Sequence, residues 1–541
     1  MNLAKSRGFI TRLSFEKKFV TSFFILFFSI GMFVLPNVGI AWDEPGQRLN
    51  AGIALIEVAK KVSPNSIPEG YTEFKDDSWL KIAPLDHGVA FDAPVLILEH
   101  LLGLKDTRHI YVFHHLMNFL AFFVGAISVF LMSRFRFKNW KIAIASTTFF
   151  VLSPRIFADA FYNSKDITFM CFLALSSYFA VKFIVLQSRR YAFFAGLIGG
   201  FATDIRVLGV VQIPIVLLFA LLWFLSSKEK AKKVKVLVPV YVGTFLVSIY
   251  VFYPHIWPDP VGRFFASFQS LSKYNWKGEN RYFGNDISAS DLPWHYLPTW
   301  IGITTPILYS FFFFVGFCLI LWSGVKLIST KLLDEAKLQD LFYLAMFTIP
   351  LVAIITINAT LYDGWRHVFF IYPYFVLILS VGIVKVHTHF SHSQRISRLL
   401  ISALIAYFIW IASWMTINNP HQNLYFNFLA GKNLSSNWEM DYWGLSNKEA
   451  LEFILENDNS SSIKVREISF TPLEVSAKII SAKDRDRLEF NIPINDADYL
   501  INNYRLTNPE KYLEDTKKFV KIKDFLIDGE VFLTIYRKSS K

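Results

Sequence analysis

The chain has 541 residues, 53% of them hydrophobic and 17% aromatic, with a formal net charge of +12 and a mean hydropathy of +0.37. Several runs exceed the ~18 consecutive apolar residues that mark a membrane-crossing helix, so a soluble enzyme is excluded. The positive charge is then a topology signal, not a nucleic-acid footprint, because Lys and Arg collect in cytoplasmic loops. Cys171 and Cys318, the two cysteines, both sit in hydrophobic runs, which leaves no disulfide framework and no cysteine-based zinc site.

Residues 1–18 are polar and basic (Lys5, Arg7, Arg12, Lys17, Lys18), which puts the N-terminus in the cytoplasm. The apolar run behind them begins like a signal peptide. It is long and lacks a small-residue cleavage site, so it reads as a retained anchor over residues 19–37. Ala41-Trp42-Asp43-Glu44-Pro45 follows at the outer mouth of this span. Adjacent carboxylates there are costly unless they face water, a partner or a substrate. One can take a proton from an attacking hydroxyl while the other positions a neighbour. They equally suit the start of a helix, with Pro45 at its first position.

Residues 42–109 form a long outer loop with two amphipathic stretches. Leu49, Ile53 and Ile56 share a helical face after Pro45, and Phe91, Val95, Leu98 and Leu102 share one after Asp92-Ala93-Pro94. Two short helices explain the pattern, lying either in the membrane interface or on the protein itself. Further spans are predicted at 110–132, 142–153 and 167–186, with a short outer loop over 153–166. Residues 191–226 are too long for one span, and Asp204 and Arg206 divide them into two helices meeting at the outer face. Gly196 and Gly200 have the small-residue spacing of close helix packing. Spans at 236–253, 300–323, 341–358, 368–386 and 399–416 complete a set of about eleven, with basic loops alternating correctly throughout. The outer loop 254–299 is rich in Trp, Tyr, Pro and charge, and suits either an interfacial belt or a grip on a sugar or lipid head group.

The chain thus divides into a multi-span catalytic region, 1–416, with outer loops 42–109 and 254–299, and a soluble extracytoplasmic α/β domain, 417–541. In the latter, Ser446-Asn447-Lys448-Glu449 reads as a capping box, and Thr471-Pro472-Leu473-Glu474 as a second. Residues 463–469 and 499–504 read as strands, and Asp528-Gly529 as the turn of a hairpin.

Projected onto this topology, the unusual polar residues fall on the outer side. They are Asp43 and Glu44, Arg155, Asp159, Lys165 and Asp166, Asp204 and Arg206, and Arg366 with His367. Arg offers planar bidentate donors and Lys a point charge, which suits a phosphate. The carboxylates suit a base and its orienter. Each residue alone has a plainer reading: arginines snorkel to lipid phosphates, and Lys165-Asp166 is a surface ion pair worth little.

These motifs resemble the GT-C class of membrane glycosyltransferases, and within it the protein O-mannosyltransferase and aminoarabinose-transferase-like superfamily. The likeness lies in Asp43-Glu44 after the first span, in Ser153-Pro154-Arg155 through Tyr162-Asn163-Ser164-Lys165-Asp166, and in Arg366-His367 with His421 to Gly431 and Asp441-Tyr442-Trp443-Gly444. It covers residues 15–445. The resemblance implies a sugar donor on a polyprenyl phosphate and a lipid, glycan or protein acceptor, with membrane lipids as surroundings and no nucleic acid. It implies inverting transfer, with Asp43 as general base and Glu44 orienting the acceptor or a loop group. Lys165, Arg206 and Arg366 would hold the leaving phosphate, followed by Arg155 and His367, with Asp159, Asp166 and Asp204 as further site residues. Some relatives bind a divalent metal and others need none, and no spacing here selects between them. The 254–299 loop is too short for the luminal domain inserted in eukaryotic protein mannosyltransferases, which points to a bacterial plasma membrane. The rival expectation is a transporter or flippase of a lipid-linked sugar, which should carry charge near the bilayer midplane and repeats in its halves.

Overall fold

The computed structural model describes residues 3–62, 88–225, 228–274, 276–330, 333–505 and 518–539. Among these, nine helices are long and apolar enough to cross a membrane: Phe15–Asn37, Thr107–Phe137, Asp166–Leu186, Val207–Phe224, Lys235–Phe252, Ile307–Leu327, Glu335–Thr356, Arg366–Phe390 and Gln394–Ile417. Trp140–Val151 and Pro154–Tyr162, bent by 69°, make a tenth if they count as one span. These nine or ten stand beside the about eleven expected from the sequence. The shortfall is at Arg189–Ile205, a helix of only 17 residues. Arg189 and Arg190 at its start and Asp204 near its end shorten its apolar stretch further.

Local chemistry sets the helix ends. The Asp106 side chain accepts from the backbone N–H of Arg108 and His109 and so caps the start of Thr107–Phe137. That helix stops at Lys138 in a left-handed conformation, with Arg134 and Arg136 in its last turn. Gly196 and Gly200 do pack as their spacing predicts. A Cβ at Gly196 would fall 2.0 Å from Thr244 Oγ1, and one at Gly200 would fall 2.5 Å from the Phe245 carbonyl oxygen.

Three expectations change. Residues 153–166 are not a plain loop. Pro154–Tyr162 is a helix with every residue buried. Pro154 fits its first turn, and Phe161 stacks on Phe119 with ring centroids 5.2 Å apart. The span expected at 300–323 is broken before Pro306 into Tyr296–Thr304 and Ile307–Thr330. Ser446 does not cap the Asn447–Asn457 helix, because it already has helical backbone angles. Its N–H instead donates to Asp441 Oδ2 at 2.8 Å.

Glu44–Val62 and Asp92–Leu101 pack together over a small core of Ala51, Ile56, Val89, Ala93 and Leu96. Part of the expected 42–109 loop lies outside the described residues. A short hairpin, β1 (Glu279–Tyr282) and β2 (Asn285–Ser288), sits within 254–299. The last part of the chain forms a five-stranded sheet of β3 (Ile463–Glu467), β4 (Leu488–Glu489), β5 (Tyr499–Asn502), β6 (Phe519–Ile527) and β7 (Glu530–Lys538). Its order is β4-β3-β5-β7-β6. The expected strands and the Asp528-Gly529 hairpin are all present, both turn residues at positive φ.

Candidate active site

The site is built where the Glu44–Val62 helix begins. Gln47 N–H donates to the Asp43 carbonyl, so the helix grows directly out of the acidic pair. The two carboxylates part at once. Glu44 turns back to accept from Ala41 N–H at 2.7 Å and meets His115 Nε2 at 3.0 Å. It is buried, away from solvent. The Asp43 carboxylate stays 29% exposed and meets Arg366 Nη1 at 3.3 Å.

Arg366 is the hub. Its guanidinium also lies 3.0 Å from Asp363 and 3.7 Å from Asp166, and 4.9 and 4.5 Å from the ring centroids of Tyr362 and Trp443. Asp166 in turn pairs with Arg206 Nη2 at 2.5 Å. Asp363 pairs with Arg505 Nη2 at 2.6 Å, and Arg505 reaches Glu439 with its other nitrogen. Acid and base thus alternate from the start of the Glu44–Val62 helix to the segment after β5.

Beside Asp43 opens a cavity of about 140 Å³. Of the residues singled out from sequence, Asp43, Lys165, Arg206, Arg366 and His367 line it. Gln47 joins them, and Val207, Leu208, Ile354, Ile357 and Leu361 form an apolar wall. Lys165 Nζ is held by Asp92 at 2.7 Å and by the Gly88 carbonyl at 2.5 Å.

The other predicted residues sit outside this lining. Asp166 is buried behind it, between Arg206 and Arg366. Asp159 accepts from Asn163 Nδ2 at 2.9 Å and from the Tyr162 hydroxyl at 3.2 Å. Asp204 accepts from Ala90 N–H at 2.5 Å. Arg155 donates to the Tyr425 carbonyl at 3.1 Å and lies over the rings of Phe426 and Trp300.

Burial raises the Asp43 carboxyl above its ordinary value. Arg366 opposes this, and the neighbouring Asp363 and Asp166 charges reinforce it. A carboxylate moved toward neutrality inside a cavity is suited to accept a proton. Glu99 shows the opposite balance nearby. Burial pushes it up, but hydrogen bonds from His114 and Arg48 outweigh this and hold it at about 2.

Asp363, Arg505, Glu439 and Gln47 were not predicted. Asp363-Gly364 carried a usable signal, an Asp-Gly pair in which both residues take positive φ. Arg505 and Glu439 carried none, since their roles depend on distant chain segments meeting. Among the described residues no three His, Cys, Asp or Glu side chains are grouped as a metal site. Asp43, Asp166 and Asp363 all face guanidinium groups instead.

A polytopic helical protein with an acid–cation cavity at its helix ends is the class that fold and site define. Residues 109–257 match the family model described as dolichyl-phosphate-mannose-protein mannosyltransferase, which bears out the resemblance over that segment. The apo oligosaccharyltransferase of Archaeoglobus fulgidus is a similar solved structure, at 10% identity and a TM-score of 0.47, covering 88% of this chain and 65% of that one. ArnT from Cupriavidus metallidurans in the apo state is another, at 12% identity and a TM-score of 0.45, covering 95% and 98%. The archaeal oligosaccharyltransferase AglB from Archaeoglobus fulgidus, in complex with an inhibitory peptide and a dolichol-phosphate, aligns at 11% identity and a TM-score of 0.44, covering 97% and 75%. No curated protein matches the sequence.

Proposed function

We propose that the protein is a glycosyltransferase that moves a sugar from a polyprenyl-phosphate donor to an acceptor hydroxyl at the outer membrane face. The observation that carries this is the shared cavity: Asp43, paired with Arg366 at 3.3 Å, lies beside Lys165, Arg206 and His367 and an apolar wall. A phosphate carried on a polyprenyl chain needs cations and an apolar surface side by side, and this cavity supplies both. The family-model match over 109–257 supports the same reading.

In this reading the donor phosphate sits against Arg206, Lys165, His367 and Arg366, and the polyprenyl chain runs along Val207, Leu208, Ile354 and Ile357. The acceptor oxygen attacks the anomeric carbon from the face opposite the phosphate, which inverts that centre. Its proton passes to Asp43, the bond from the anomeric carbon to the phosphate oxygen breaks, and polyprenyl phosphate leaves as an anion. The cations offset charge that grows on the departing oxygen. Arg366 and Asp166 orient Asp43 and Arg206. The N-terminus is cytoplasmic, the site and the C-terminal sheet are extracytoplasmic, and the membrane is a bacterial plasma membrane.

The test is sugar release from labelled polyprenyl-phosphate sugars by purified protein in lipid, with an envelope extract supplying acceptors. Turnover by wild type and its loss in Asp43→Asn is the expected result. An intact donor that crosses the bilayer would sink the transferase reading and leave a transporter.

A further inference from the structure

A second cavity, about 310 Å³, lies beyond the first and belongs to none of the roles above. It is at the low end of the roughly 300–1,000 Å³ typical of small-molecule sites. One side is the Glu44–Val62 helix, through Asn50, Ala54, Glu57, Val58 and Lys61. The other side is Tyr253 and the start of the 254–299 loop, through His255, Trp257 and Arg263.

The two cavities are related by that helix. At about 3.6 residues per turn, Asp43, Gln47, Asn50, Ala54, Val58 and Lys61 fall on one face. Asp43 and Gln47 line the first cavity, and the remaining four line the second. The stripe runs roughly 27 Å from Asp43 to Lys61 at about 1.5 Å per residue. Another face carries Ala51 and Ile56 into the small core shared with Asp92–Leu101. The stripe therefore leads away from the proposed base, with Ala54 at the edge where it meets that core.

The walls of the second cavity have a definite chemistry. Trp257 and Tyr253 supply flat apolar surfaces. Asn50 and Glu57 supply hydrogen-bonding groups. Lys61 Nζ lies 5.4 Å from the Trp257 ring centroid, so the cation of one side meets the ring of the other where the two walls join. Arg263 adds a second cation, placed by its donation to the His255 carbonyl at 2.8 Å.

We infer that this cavity is an acceptor subsite for a saccharide carrying an anionic group. Its sugar ring lies against Trp257, its hydroxyls meet Asn50 and Glu57, and its anion faces Lys61 and Arg263. Asn50 is roughly 10 Å along the helix from Asp43, so the reacting hydroxyl belongs to a neighbouring unit of the same acceptor. This rests on the transferase reading and selects a glycan among its acceptors.

The experiment is ligand-observed saturation-transfer NMR on the full chain in lipid nanodiscs, with glucose 6-phosphate and glucose as probes. Glucose 6-phosphate is expected to bind, and glucose to bind more weakly. Ala54→Trp, which fills the cavity, should abolish the signal. Lys61→Gln should weaken it by roughly tenfold, the effect of one charge-assisted contact, and it keeps the test valid if the Trp variant fails to fold. Arg206→Gln, in the other cavity, should leave it in place. No signal from glucose 6-phosphate, or a signal that survives Ala54→Trp and Lys61→Gln but not Arg206→Gln, overturns the subsite. Donor turnover by wild type is measured separately, so failure of the subsite and failure of the transferase reading give different results.

Discussion

Arg505 donates to Asp363 at 2.6 Å, and Asp363 holds Arg366 at 3.0 Å. The guanidinium facing Asp43 is thus fixed from a residue just past β5. Arg505 and both its carboxylate partners are almost fully buried. Arg505→Met should leave Glu439 as a buried charge without its cation and Asp363 with Arg366 alone, a loss of about 3–5 kcal/mol. Thermal unfolding of the purified protein should show a much lower midpoint. Arg505→Lys should recover part of it, because a single ammonium cannot serve both carboxylates in bidentate fashion.

Asp43→Asn should lower turnover by about 10²–10⁴-fold, the usual worth of a positioned base. Its melting midpoint should stay close to wild type, since Asp363 and Asp166 still hold Arg366. The pH dependence follows from the raised carboxyl. The base works when deprotonated, so kcat/KM should be low in acid and rise with pH. The midpoint should lie above the ordinary aspartate value of 3.8. A profile that is flat across the acid limb would remove Asp43 from the proton transfer.

The sequence made the membrane class, most spans and the final hairpin legible, because apolar run length and Asp-Gly turn chemistry are local signals. It also named all five of the cavity's strongly charged or imidazole residues, from Asp43 to His367. It could not rank them against Arg155, Asp159 and Asp204, which share the same helix ends yet bond inward. Direction of a side chain depends on which neighbour supplies the partner, and those partners lie far off in the chain. Arg505 was invisible for the same reason. The helix at Pro154–Tyr162 was missed because Pro, Arg and Asp in a short stretch read as a loop, whereas tertiary burial made it helical.

Glu44 tests whether adjacent carboxylates share a role. Its partners are Ala41 N–H and His115, not the cavity. Glu44→Gln keeps a hydrogen-bonding group but loses the carboxylate that His115 Nε2 meets at 3.0 Å. It should lower stability by about 1–3 kcal/mol while preserving most of the turnover that Asp43→Asn removes. Thermal unfolding and donor turnover on the same preparations separate the two effects. Equal loss of turnover in both variants would make the pair a single catalytic unit.

Arg206 and Arg155 provide the last contrast. Both were predicted to hold the donor phosphate, but only Arg206 lines the cavity. Arg206→Gln should raise the KM for the donor by roughly tenfold or more, as expected for one charge-assisted contact. Arg155 is tied to the Tyr425 carbonyl and packed on Phe426 and Trp300. Arg155→Lys should therefore leave donor KM unchanged and lower the unfolding midpoint, because an ammonium cannot reproduce the flat contact with both rings. A donor KM that rises in Arg155→Lys but not in Arg206→Gln would remove the phosphate from the cavity that Arg206 lines.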